Sequence, residues 1–153
     1  MTFDYDHEPQ PAPDGILRRR IRTEPVMVVV PAAHPLAVRA ELSPADLSGD
    51  AWIATPVAEL GAVVQVRHDE ARRRLDFEGD DFRTALRLVA AGLGLALLPE
   101  LALTDAPRGV TGRPLREPRL TRHLYTCRLD TRHVSTPVAR LHEYLEQAAT
   151  IRR

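Results

Sequence analysis

The sequence predicts an α/β fold, and three observations carry that prediction. Residues 26–30 (VMVVV) form an unbroken apolar, largely β-branched run closed by Pro31. Such a run suits a strand covered on both faces. A clear amphipathic helix follows Asp80-Asp81, with Phe82, Ala85, Leu86, Val89 and Leu93 at helical spacing. Between and beyond these two, strand patterns alternate with helix patterns along the chain. The 153 residues amount to one domain, or two small lobes sharing one chain. Folding at this size hides about 70% of the unfolded surface, so no covalent staple is needed.

Taken in order, FDYD near the start reads as a strand end, and HEPQPAPDG (7–15) as a proline-rich surface loop. Residues 16–21 are polar and arginine-rich, and RRRIR (18–22) reads as a solvated edge segment. After the 26–30 strand, SPADL starts a helical turn, with Ser43 as cap, Pro44 first and Asp46 in the capping-box position. Gly49 ends it. Residues 51–54 make a short strand containing Trp52 and Ile53. Thr55 and Pro56 then look like the cap and first residue of a helix through Leu60, Val63 and Val64. RHDEARRR is a charged, solvated stretch leading into a strand at LDFEG.

The stretch VAAGLGLALLPEL (89–101) places Gly92 and Gly94 between two apolar runs. A phosphate-cradling glycine loop lies after a strand and before a helix, where free N–H groups face the anion. Here the order is helix, glycines, strand. A helix C-terminus carries partial negative charge and repels phosphate. The glycines therefore turn a corner, Gly92 as the positive-φ cap and Gly94 for tight passage into the strand at 93–98. ELALTDAPRGVTGRPL reads as a turn-rich loop and RHLYTCRLDTR as the last strand. Thr136 and Pro137 open a closing helix, apolar at Val138, Leu141, Tyr144, Leu145 and Ala148.

Composition excludes several chemistries. Formal net charge is zero, so nothing in the overall balance points to nucleic acid or an acidic membrane. All 21 basic residues are arginine. Without lysine there is no Schiff base, no pyridoxal-phosphate anchor and no P-loop. Cys127 is the single cysteine, so no internal disulfide or Cys-x-x-Cys motif forms, and its alternating neighbours predict a half-buried, inert thiol. Serine occurs at 43, 48 and 135 alone, with no G-x-S-x-G elbow. The six histidines show no ligand spacing, so no metal is expected, and no cofactor. His34 reads as a hydrogen-bonded turn residue, and Asp80 and Asp81 as caps. No apolar run approaches the ~20 residues that span a bilayer, and no signal peptide is visible, which predicts a cytoplasmic protein with no membrane partner.

The remaining candidates bind without reacting. Ligands of open α/β sheets collect outside the carboxyl ends of strands. Two such ends are expected, at Thr55-Pro56 and at Gly79-Asp80, each with free N–H groups able to hold an anionic group. No catalytic residue is assigned.

The succession EPVMVVVPAAHPLA, LSPADLSGDAWIA and LVAAGLGLALLP, in that order and spacing, resembles the effector-binding region of LysR-type transcriptional regulators. The segment at 88–99 is the most specific part and HPLA at 34–37 the next, and the resemblance covers nearly the whole chain. It implies a periplasmic-binding-protein type 2-like fold, with one complete small lobe and part of a second. On that reading residues 1–34 are partial lobe one and a hinge strand, 35–95 are lobe two, and 96–153 return to lobe one and the C-terminal helix. Val30 and Pro31 mark one crossing, Leu97 and Pro99 the other. The family binds small, often anionic or aromatic, effectors between its lobes, and Thr55, Pro56, Gly79 and Asp80 match the second-lobe side.

The family's N-terminal helix-turn-helix and the first half of lobe one have no counterpart in these residues. The resemblance thus implies a regulatory, non-enzymatic module that senses a small-molecule effector, forms a homo-oligomer, and reaches DNA only through a missing N-terminal domain. Two other classes remain open. One is a small α/β hydrolase or transferase using His34 or Asp80 as base. The other is a solute-binding module unconnected with transcription.

Overall fold

The computed structural model describes residues 2–5, 12–54, 74–76, 81–117, 119–131 and 134–151. Nine elements order the described chain: strands β1 (Thr2–Tyr5), β2 (Ile16–Pro31), β3 (Trp52–Ala54), β4 (Arg74–Asp76), β5 (Ala96–Pro99), β6 (Val110–Pro114) and β7 (Thr121–Leu129), with helices α1 (Phe82–Ala90) and α2 (Thr136–Ile151). Contacts divide the chain into two compact units. The first is Met1–Glu24 with Thr121–Arg153, and the second is Pro25–Leu120.

In the second unit, the β-branched run decides the architecture. Residues 26–29 of β2 pair antiparallel with β5, Val26 opposite Pro99 and Val29 opposite Ala96. On its other side β2 pairs antiparallel with β6, Met27 opposite Pro114 and Pro31 opposite Val110. Val26, Val28, Val29 and Val30 are all buried, so successive residues lose water on both faces of the sheet, as an uninterrupted apolar strand requires. Burying a side chain of that size contributes roughly 1.5–3 kcal/mol. β3 and β4 form a parallel pair, and a bridge from Trp52 to Leu95 ties β3 to the approach of β5.

Helix α1 lays Ala85, Leu86 and Val89 on Val29, Ile53, Ala96 and Leu98, and that cluster is the core of the unit. The helix ends where the glycines stand. Leu93 N–H bonds Leu88 O at 3.1 Å and Gly92 N–H bonds Val89 O at 2.8 Å, with Gly92 at φ 76°. This pair of bonds is a Schellman ending, which requires the left-handed residue. Gly94 answers to a different constraint: a Cβ there would stand 2.8 Å from the Ala51 carbonyl oxygen. Leu93, expected on the apolar face of α1, lies past this ending and is 50% exposed, because Gly92 turns the chain away first.

In the first unit, β7 pairs antiparallel with β1, Thr2 opposite Tyr125 and Tyr5 opposite Arg122, and has β2 as its other neighbour. Helix α2 is tethered by polar contacts. Arg19 Nη1 stands 2.9 Å from Glu146 Oε1, and Arg22 Nη1 donates to Ala149 O at 3.4 Å.

Two expectations are revised by the pairing. Residues 16–21 are not a separate solvated segment. They are the start of the sixteen-residue strand β2, and Arg18 lies 3.6 Å over the Tyr125 ring. The expected loop after Pro99 contains a 3-10 turn at Glu100–Leu103 and the strand β6. VTGRP has no strand signature of its own, and it is extended because the outer side of β2 offers it a ladder. The contact boundaries also differ from those drawn at 34/35 and 95/96. They fall at 24/25 and 120/121, because β5 and β6 both belong to the β2 sheet of the second unit. Val30, Pro31, Leu97 and Pro99 are accordingly strand residues inside that unit.

Candidate functional site

Parallel pairing of β3 with β4 sets Ala54 opposite Asp76. Two strand carboxyl ends therefore emerge side by side, one residue before Thr55 and three before Gly79. Thr55, Pro56, Gly79 and Asp80 themselves lie outside the described residues, as do the helix expected after Pro56 and residues 67–73. The strands that deliver both segments are in place, and β3 is held from behind by Ile53 N–H bonding Leu95 O at 2.8 Å.

The next residue along, Asp81, is the cap of α1. Its carboxylate accepts from Arg83 N–H at 3.0 Å, Thr84 N–H at 3.2 Å and the Thr84 hydroxyl at 2.7 Å. Those bonds, the Thr84 hydroxyl's first and then the Arg83 amide's, hold the Asp81 carboxyl below its usual 3.8. An N-terminus whose N–H groups already serve a carboxylate of the chain has less to offer a ligand anion. Beside it lies a recess of about 300 Å³ lined by Asp81, Phe82, Arg83, Leu101, Ala102 and Asp105. That volume is at the lower end for a small-molecule site. Sequence reading missed its far wall, since the 3-10 turn at Glu100–Leu103 was read as loop. The proline ahead of ELAL was the available signal.

His34 resolves as a structural residue. Its Nδ1 accepts from Leu36 N–H at 3.3 Å and its Nε2 stands 3.2 Å from Asp50 Oδ1. Accepting at Nδ1 assigns the ring proton to Nε2, which then donates to Asp50. Both nitrogens are used, so His34 has no lone pair free to act as a base. Asp46 fills the expected capping role. The Ser43 N–H and hydroxyl both donate to its Oδ2 at 2.8 Å. The backbone bond first, then the hydroxyl, lowers its pKa from 3.8. Cys127 is half-buried on β7, and among the described residues no group of histidine, cysteine and carboxylate side chains is arranged to hold a metal.

An apolar β2 between β5 and β6, a parallel β3–β4 pair feeding α1, and a chain that passes twice between two units define a two-unit α/β domain class. Residues 6–150 match the LysR substrate binding domain family, and the chain belongs to that family. Among curated proteins it is 32% identical over 92 residues to the uncharacterized HTH-type transcriptional regulator YybE of Bacillus subtilis, covering 56% of this chain and 30% of YybE. It is 26% identical over 129 residues to the transcriptional dual regulator GltC of the same organism, covering 82% of this chain and 43% of GltC. The chain thus spans less than half the length of either relative, and both are named as regulators of transcription. Among solved structures, the CcmR regulatory domain of Synechocystis PCC6803, in complex with 2-PG, superimposes with a TM-score of 0.66 at 18% identity, over 98% of this chain and 74% of that one. The periplasmic-binding-protein type 2-like α/β fold expected from the sequence is the fold observed. Among the described residues no helix is long and apolar enough to cross a membrane.

Proposed function

We propose that this chain is the effector-sensing part of a LysR-type regulator. It binds a small metabolite at the carboxyl ends of β3 and β4 and controls transcription through a DNA-binding domain outside these residues. Thr55 and Pro56 after one strand, and Gly79 and Asp80 after the other, hold the ligand, with backbone N–H groups directed at an anionic group. The observation that supports this reading is the register of Ala54 against Asp76, which sets the carboxyl ends of β3 and β4 side by side. The complex of the CcmR regulatory domain with 2-PG supports a small-molecule effector for a domain of this fold. The regulator works as a homo-oligomer in the cytoplasm, the commonest arrangement for soluble proteins that must present two equivalent units.

A panel of small carboxylates and phosphate esters, screened by thermal shift on the 153-residue chain, tests the assignment. A true effector at about one hundred times its Kd adds about 2.7 kcal/mol to stability. Thr55→Trp and Gly79→Trp are expected to abolish the shift for the ligand that produces it while leaving the unliganded melting temperature in place. An undiminished shift in both variants moves the site elsewhere.

A further inference from the structure

The chain leaves the first unit after Glu24 and re-enters it at Thr121. Each passage is made by a strand, since β2 runs through the first and β7 begins at the second. The two strands are neighbours in one sheet, so the passages are bonded to each other. Past Pro25, Val26 N–H donates to Leu120 O at 2.8 Å. Two residues back along β2, Glu24 meets Arg122. The pair therefore joins the last residue before one passage to the second residue after the other.

Glu24 and Arg122 are the only charged side chains buried among the described residues. Arg122 Nε donates to Glu24 Oε1 at 2.7 Å, and its Nη2 donates to the same oxygen. Arg22 extends the arrangement to helix α2, with its Nε 3.9 Å from Glu24 Oε2 and its Nη1 donating to Ala149 O at 3.4 Å. Hiding two charges costs solvation that their attraction repays only in good geometry, and apolar residues of similar volume are often as stable. What such a pair adds is direction. An apolar contact tolerates sliding, whereas two guanidinium donors on one oxygen do not.

The neighbouring residues make direction matter. Beyond Pro25 the strand is buried on both faces at Val26, Val28, Val29 and Val30. Before Glu24, ILRRRIRT has only Ile16, Leu17 and Ile21 as apolar side chains, and Leu17 is exposed. A strand so patterned specifies its register weakly. Pro25 between the two stretches has no N–H to give the ladder.

We propose that Glu24 and Arg122 are positioning residues that pin the two passages in register. Movement driven by an effector is then taken up by bending at Pro25 and Leu120, and not by sliding of β2 along β7. That use of the pin rests on the effector-sensing reading. The pin itself does not, and it is tested without ligand, so its failure and a failure to find an effector are separate results.

The test is hydrogen exchange on the 153-residue chain at three amides of the second unit. Val26 N–H bonds Leu120 O, while Ile53 and Leu95 bond Leu95 O and Ala51 O and serve as the reference. In the double variant Glu24→Met, Arg122→Met, exchange at Val26 relative to the two reference amides is expected to rise at least about tenfold. An unchanged ratio overturns the inference, because loss of overall stability alone speeds all three together. Should the double variant not fold, Arg122→Lys decides, since it keeps the charge and removes the planar fork. A rise in the same ratio is expected there too, and a ratio equal to the parent's overturns the inference.

Discussion

The two units of this chain are built on opposite principles. In Pro25–Leu120 the interior is aliphatic: Val26, Val28, Val29, Val30, Ile53, Leu86, Leu95 and Leu98 are at most 2% exposed, and no charged side chain is buried among the described residues. In Met1–Glu24 with Thr121–Arg153 a carboxylate and a guanidinium occupy the interior. Arg122 Nε donates to Glu24 Oε1 at 2.7 Å and its Nη2 donates to the same oxygen. The Arg22 Nε stands 3.9 Å from the other Glu24 oxygen. Leu124 and Tyr125 of that unit are buried, but Leu129, Val138, Leu141 and Tyr144 are exposed. The difference teaches where stability resides. Hydrophobic burial is non-directional and grows with area, so the second unit is secured by many interchangeable contacts. The first depends on a few directed ones, which are costly to break singly.

Removing one partner of the buried pair is expected to have the largest effect. Glu24→Gln leaves the Arg122 guanidinium without its counter-charge and should cost about 3–5 kcal/mol. Replacing both residues by methionine should restore most of the loss. Urea unfolding of the single and double variants measures this, and an equally unstable double variant would show that the pair is not the source. Next comes the contrast between leucines. Leu98→Ala, in the full core, should cost about 2–5 kcal/mol, whereas Leu141→Ala should stay within about 0.5 kcal/mol. Similar costs for the two would erase the distinction between the units.

The smallest effect concerns acid. Asp46 and Asp81 are both held below their usual 3.8 by hydrogen bonds from Ser43 and from Thr84 and Arg83. A carboxyl with a depressed folded pKa adds stability that is complete above its unfolded value and is lost as pH falls through the folded one. The urea midpoint of the parent should therefore drop below about pH 4, and the Asp46→Asn, Asp81→Asn double variant should show a shallower drop over the same range. Parallel profiles would mean that other carboxylates govern the acid limb.

Much of the second unit was legible in the residues. The 26–30 run announced a strand covered on both faces. SPADL announced its capping box, and the order helix, glycines, strand identified Gly92 and Gly94 as a corner. These signals are local, so the chain states them within a few residues. The family was legible for the same reason, since its motifs are those local segments in order. Other features are not local. VTGRP became β6 through the free side of β2, and the Glu100–Leu103 turn became a pocket wall through its packing near α1. Arg22 falls in the segment read as solvated, and nothing nearby in sequence marks Arg22, Glu24 and Arg122 as partners.

The sequence by itself determined the strand at 26–30, helix α1 with its caps and glycine corner, the absence of lysine chemistry and the family to which the chain belongs, because propensity, periodicity and backbone sterics act over a turn or two. Tertiary structure alone decided which strands share a ladder, where the contacts divide, which charges are buried and which apolar helix face is left in water. Those outcomes depend on contacts between residues as much as 127 positions apart, and no short window of sequence contains both members of such a pair.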